Sequence, residues 1–133
     1  MSVRNQFIKE FRGETLGTIS SESSSEEYFQ NQTLRPILKL QNDLFIEIFK
    51  NYIIKNKANF DTFTIDKKLQ FIENSIQNDM KFRNLLIGIV IGLFSTDEYL
   101  LYSNNSTNLN KRIITMLIER IKNQLQLFDR NYL

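Results

Sequence analysis

An all-α fold is what the sequence predicts, on three observations. Apolar residues recur with helical period in segment after segment. A Ser or Thr stands ahead of most of those segments, where a side-chain oxygen can close the first turn. The one continuous apolar run, LLIGIVIGLF, has no second strand candidate to pair with and continues a helical register from Phe82. With 133 residues the chain is long enough for one domain and too short for two ordinary ones. The expected architecture is a compact bundle of five or six helices. Two long helices lie antiparallel in it, and an apolar, Gly-containing helix is sheltered between others.

The first element is an amphipathic arm over residues 1–12. Val3, Phe7, Ile8 and Phe11 fall on one helical face, and Gly13 is a natural stop. A helix this short is marginal alone in water. It must therefore dock, through Phe7, Ile8 and Phe11, on its own bundle or on a second copy. Residues 13–32 read as a Ser/Glu-rich linker, within which Ser24 and Glu27 have capping-box spacing for a short helix. Residues 33–133 are the expected bundle domain.

In that domain Thr33 is the expected cap of a long helix that carries Pro36 in its first turn and runs to about Asn56, roughly 34 Å. Thr64 opens the next helix, with a narrow stripe of Ile65, Leu69, Ile72 and Ile76 that suits a surface position. Met80 to Phe94 is apolar nearly all round and is expected at the centre. Gly88 and Gly92 on one face of it would let another helix approach closely. Ser95 or Thr96 restarts a short helix through Tyr102, and a last long helix spans about Thr107 to Phe128.

Several polar residues fall within apolar arcs. At 100° per residue, Gln41 and Asn42 lie in the buried arc of the first long helix, and Asn110, Arg120 and Gln124 in that of the last. A buried amide without partners costs about 1–3 kcal/mol, so each must be hydrogen-bonded inside the bundle. Two readings follow. The five residues form a network that fixes helix register, or they line a polar spot that binds a small ligand. Arg120 must snorkel past its neighbours or meet a carboxylate.

Composition excludes much chemistry. The chain has no Cys and no His, hence no disulfide, thiolate nucleophile or imidazole base, and none of the usual zinc or haem ligands. No metal and no cofactor is expected. The net charge of +2 is too small to make nucleic acid an obvious partner, and Lys67–Lys68 and Lys111–Arg112 are short basic pairs without a continuous basic face. The longest apolar run is about half a membrane span, and the first residues lack the apolar core of a secretory signal, so a cytoplasmic setting without membrane association is expected.

TLRPILKLQNDLFIEIFKNYI (33–53), KFRNLLIGIVIGLFSTDEYLLY (81–102) and LNKRIITMLIERI near the end resemble a small family of bacterial helical proteins without established function. Members of that family sometimes carry a glyoxalase label. Glyoxalase-type domains are βαβββ modules that hold a metal through His and Glu, and this chain has no His. The resemblance therefore implies a helical fold, no glyoxalase activity and no catalytic residue to carry over.

The functional expectation is a non-enzymatic interaction module, acting as a homodimer or on another protein through surplus apolar surface at the arm, Ile46, Ile54 and Phe71. The alternative is a small-molecule-binding or sensor bundle built on Gln41, Asn42, Asn110, Arg120 and Gln124. Asp43, Glu47, Arg83, Glu98 and Tyr99 are the conceivable actors of an enzyme, and no spacing singles them out.

Overall fold

A computed structural model describes residues 2–13 and 24–129, and every regular element among them is helical. α1 is Val3–Arg12, started by the Ser2 hydroxyl on the Asn5 N–H and stopped by Gly13 at φ 80°. Residues 14–23 of the expected linker lie outside the described residues. Ser24 opens α2, Ser25–Phe29, its Oγ accepting from the Glu27 N–H at 3.1 Å, one half of the expected capping box. Phe29 is buried, so packing into the bundle begins before Thr33.

Thr33 is not a cap. The helix passes through it by a widened π turn, Gln30–Leu34, in which the Arg35 N–H reaches back five residues to the Gln30 carbonyl. The cause is Pro36. Inside a helix its ring crowds the carbonyl four residues earlier, and the widened turn makes room for it. α3, Arg35–Leu40, then breaks at Gln41, whose ψ of 5° has left the helical range, and α4, Asn42–Lys55, continues. The single long rod expected from Thr33 to Asn56 is therefore two helices. α4 ends in a Schellman arrangement: the Ala58 N–H bonds the Ile53 carbonyl and the Lys57 N–H that of Ile54, with Lys57 at φ 52°.

After a 3-10 turn, Phe60–Thr62, α5 spans Ile65–Asn78 and α6 spans Met80–Ile91. Thr64 caps α5 as expected. Asp79 caps α6 through the Phe82 N–H and accepts a 2.8 Å hydrogen bond from the Tyr52 hydroxyl, which ties the α5–α6 corner to α4. α7 is Thr96–Ser103, α8 is Ser106–Lys122, and a 3-10 turn, Leu125–Phe128, follows.

Polar partners give the helix directions. Gln30–Arg112 and Asn42–Gln124 advance together along both segments, so the α2–α3 stretch runs parallel to α8. Lys68–Asp129 and Glu73–Lys122 advance oppositely, so α5 is antiparallel to α8. The antiparallel neighbour of the last long helix is thus α5 and not the stretch that begins at Thr33.

The core is continuous and aromatic at one end. Phe49 lies 5.2 to 6.2 Å from Tyr52, Phe71, Phe82 and Phe128, and Tyr52 stacks on Phe82 at 4.0 Å. Phe71 and Ile46, expected as surplus surface, are both drawn inward: Phe71 meets Phe49, Phe60 and Phe63, and Ile46 is buried. Ile54 is exposed, as expected.

α6 is sheltered on one side only. Phe82, Leu86, Ile87 and Val90 are buried, and Leu85 and Gly88 face outward. A Cβ on Gly88 would meet nothing within 4 Å, and one on Gly92 would meet only the carbonyls of Gly88 and Ile89. These glycines do not mark a close helix contact. No described helix is long and apolar enough to cross a membrane.

Candidate functional site

The most heavily built polar constellation lies at the corner where α6 ends and α7 begins. A helix C-terminus leaves carbonyls without partners, and a helix N-terminus leaves N–H groups. Here α1 supplies both from another part of the chain. Arg4 donates to the Phe94 carbonyl at 2.9 Å and the Gly92 carbonyl at 3.1 Å, and Arg12 donates to the Leu93 carbonyl at 3.0 Å. Asn5 accepts from the Thr96 N–H at 3.0 Å and donates to the Thr96 hydroxyl at 2.7 Å. Two guanidinium groups at the negative end of α6 are also well placed against the helix dipole.

Glu98 closes the arrangement. Ser95 Oγ accepts from the Glu98 N–H, and the Glu98 carboxylate accepts from the Ser95 N–H at 2.7 Å, so the expected restart of the helix is a complete capping box. The same carboxylate takes two hydrogen bonds from Arg12, one of them at 2.7 Å, and a third from the Thr33 hydroxyl at 2.7 Å. Both side chains of the Arg12–Glu98 pair are largely withdrawn from water. Burial pushes the Glu98 pKa up, and the bonds from Arg12, Ser95 and Thr33 outweigh it, leaving the group below the ordinary glutamate value.

The arm thus docks by its polar edge, and its aromatic edge stays outside. Ile8 is 6% exposed, packed into the bundle, whereas Phe7 is 62% and Phe11 54% exposed, their rings stacked 5.5 Å apart. The expectation that Phe7, Ile8 and Phe11 act together is corrected: positions 4, 5, 8 and 12 face the bundle, and positions 3, 7 and 11 form a second stripe on the outside. On α7, Tyr99, Leu100 and Leu101 are exposed as well. Lys9, Tyr28, Asp97 and Leu101 share the rim of one shallow cleft between arm and bundle.

The five polar residues expected to gather do not form one site. Asn42 and Gln124 make a reciprocal amide pair, both bonds at 2.8 Å, and Gln124 donates its second N–H to the Arg120 carbonyl. This pair fixes register between α4 and the end of α8. Asn110 accepts from the Tyr102 hydroxyl at 2.6 Å, away from the others. Gln41 sits at the helix break, half-buried, and makes no capping bond, because the break turns it off the buried arc.

Arg120 and Gln124 alone of the five line a groove, of about 500 Å³, that they share with Gln30, Arg35, Leu38 and Met116 among others. Arg120 is half-buried at this groove and meets no carboxylate among the described residues. Among the conceivable enzymatic residues, Glu98 is held by the corner, while Asp43 and Glu47 are exposed on α4. Comparison with known protein families, curated proteins and solved structures finds no match.

Proposed function

We propose that this chain is a non-enzymatic helical interaction module that associates with a second copy of itself through the outer stripe of α1 and the adjoining face of α7. One observation carries the reading. The arm is anchored by hydrogen bonds at Arg4, Asn5 and Arg12 and by a buried ion pair, yet it holds Phe7 and Phe11 stacked in water. An anchor of that strength is not needed to bury one isoleucine. It is what a rigid, preorganised face requires, because fixing the arm beforehand removes the ordering cost of association.

The second copy is favoured over a foreign protein by self-complementarity. Lys9 and Asp97 line one cleft at the edge of the arm together with Leu101, and one charge of each sign there lets a twofold axis bring each Lys9 to the partner's Asp97. Size sets the extent. The arm is about 15 Å long and 10 Å wide, well short of the roughly 800 Å² per partner of a stable interface. Tyr99, Leu100 and Leu101 must therefore share it.

The family resemblance and a cytoplasmic setting belong to the same proposal and rest on the sequence alone. Described residues whose regular elements are all helical give a βαβββ glyoxalase module no counterpart.

Sedimentation of the wild-type chain beside Phe7→Glu/Phe11→Glu tests the proposal. Both rings are exposed in the single chain, so the variant should keep its helical spectrum and, at dilutions where the wild type is monomeric, its melting point. The expected result is a concentration-dependent dimer for the wild type and a monomer for the variant. A wild-type monomer throughout, or a dimer unaffected by the two charges, would refute it.

A further inference from the structure

A different part of the molecule holds two arginines that nothing neutralises. Arg4, Arg12 and Arg112 are all engaged, on backbone carbonyls, on Glu98, and on Glu26 with Gln30. Arg35 and Arg120 line one groove, and among the described residues neither guanidinium has a hydrogen-bond or ion-pair partner. Arg120 is half-buried there. Burial first, and then the charge of Arg35, holds its pKa below the ordinary arginine value, and a guanidinium still stays charged at neutral pH. A half-buried guanidinium with an exposed like charge beside it destabilises the empty protein.

Two of the neutral polar groups of the wall are already engaged. Gln124 spends both amide N–H bonds on Asn42 and the Arg120 carbonyl, and the Gln30 side-chain oxygen Oε1 accepts from Arg112. The charged donors left free are the two forks, whose planar geometry suits an oxyanion held by paired N–H bonds, with the neutral side chains of Thr115 and Asn123 in the same wall. Between them the groove offers Leu38 and Met116 as apolar wall. Glu119 also lines it without pairing to either arginine, which disfavours a polyanion such as nucleic acid.

We propose that this groove binds a small organic anion, its carboxylate or phosphate head between Arg35 and Arg120 and its apolar body against Leu38 and Met116. The site lies apart from the α1–α7 face, so it stands or falls independently of self-association.

The test titrates the full chain with phenyl phosphate, benzoate and inorganic phosphate, at constant ionic strength made up with sodium chloride. Amide chemical shifts and thermal melting are followed. Saturable shifts are expected at Arg35, Leu38, Met116 and Arg120, with a rise in melting temperature. The stronger of the two aromatic probes identifies the head group. Arg35→Gln, at an exposed position, should leave the fold intact and weaken binding at least tenfold. Arg120→Met should do the same while raising the melting temperature of the unliganded chain. No saturable shift with any of the three probes overturns the proposal. So does binding unchanged by Arg35→Gln, or benzyl alcohol binding as tightly as phenyl phosphate.

Discussion

At the scale of single residues, Glu98 joins more stretches of chain than a local cap would. Its carboxylate is bonded by a helix N–H, a hydroxyl and a guanidinium, and each partner comes from a different stretch of chain. Removing Arg12 leaves that carboxylate buried and unpaired. Arg12→Ala is therefore expected to cost about 3–5 kcal/mol, and urea denaturation would measure it; a loss under 1 kcal/mol would mean the pair is solvated. Glu98 also sets a pH dependence. Its folded pKa lies below the unfolded value, so the stabilisation is fully present above about pH 4.3 and is lost as pH falls through the folded value. Acid should release the arm first, seen as loss of hydrogen-exchange protection at the Thr96 N–H before the core opens. The Asn42–Gln124 pair offers a complementary case. Asn42→Leu strands half of a reciprocal pair and should cost about 1–3 kcal/mol, whereas the double Leu variant should recover most of the loss. A double variant as unstable as the single one would show that the amides have other partners.

Among the elements, capping chemistry was readable and long-range capping was not. Ser24, Thr64 and Ser95 announce their helices through spacing alone, and Gly13 marks its stop, because these signals act within four residues. Propensity and periodicity run straight through the break at Gln41, which hides it; the π turn forced by Pro36 lies upstream and straddles the boundary between the expected linker and the expected helix. The aromatic stripe is the stronger hydrophobic signal in the arm, although Arg4, Ile8 and Arg12 also repeat every four residues and form the stripe that docks. Their partners lie more than 80 positions away, at a distance where one sequence gives no pairing information. Two substitutions test the reading of helix ends and glycines. Lys57→Gly relieves a left-handed residue in the Schellman turn and should stabilise by about 0.5–1 kcal/mol. Gly88→Ala, in open space on α6, should stabilise by up to about 1 kcal/mol. Thermal melting reads both, and destabilisation by Gly88→Ala would restore the close helix contact that the structure lacks.

For the molecule as a whole, the arm is both a structural cap and the carrier of the proposed interface. Deleting residues 1–13 would uncover the carbonyls of Gly92, Leu93 and Phe94 and strand Glu98, so it should lower stability and abolish association together. Phe7→Glu/Phe11→Glu should abolish association alone. The five scattered polar residues could not have been sorted from sequence, since Asn42 and Gln124 find each other across 82 positions while Gln41 is turned away by a single backbone angle. The most direct measurement is an isotope-filtered NOE spectrum of labelled and unlabelled chains mixed at equal concentration, which registers only contacts between copies. Cross-peaks from the rings of Phe7 and Phe11 to Leu100 or Leu101 of the other copy are the expected result. A dimer in sedimentation whose inter-copy peaks avoid all four residues would contradict the proposed face, and a chain that gives no inter-copy peaks and sediments as a monomer would contradict self-association itself.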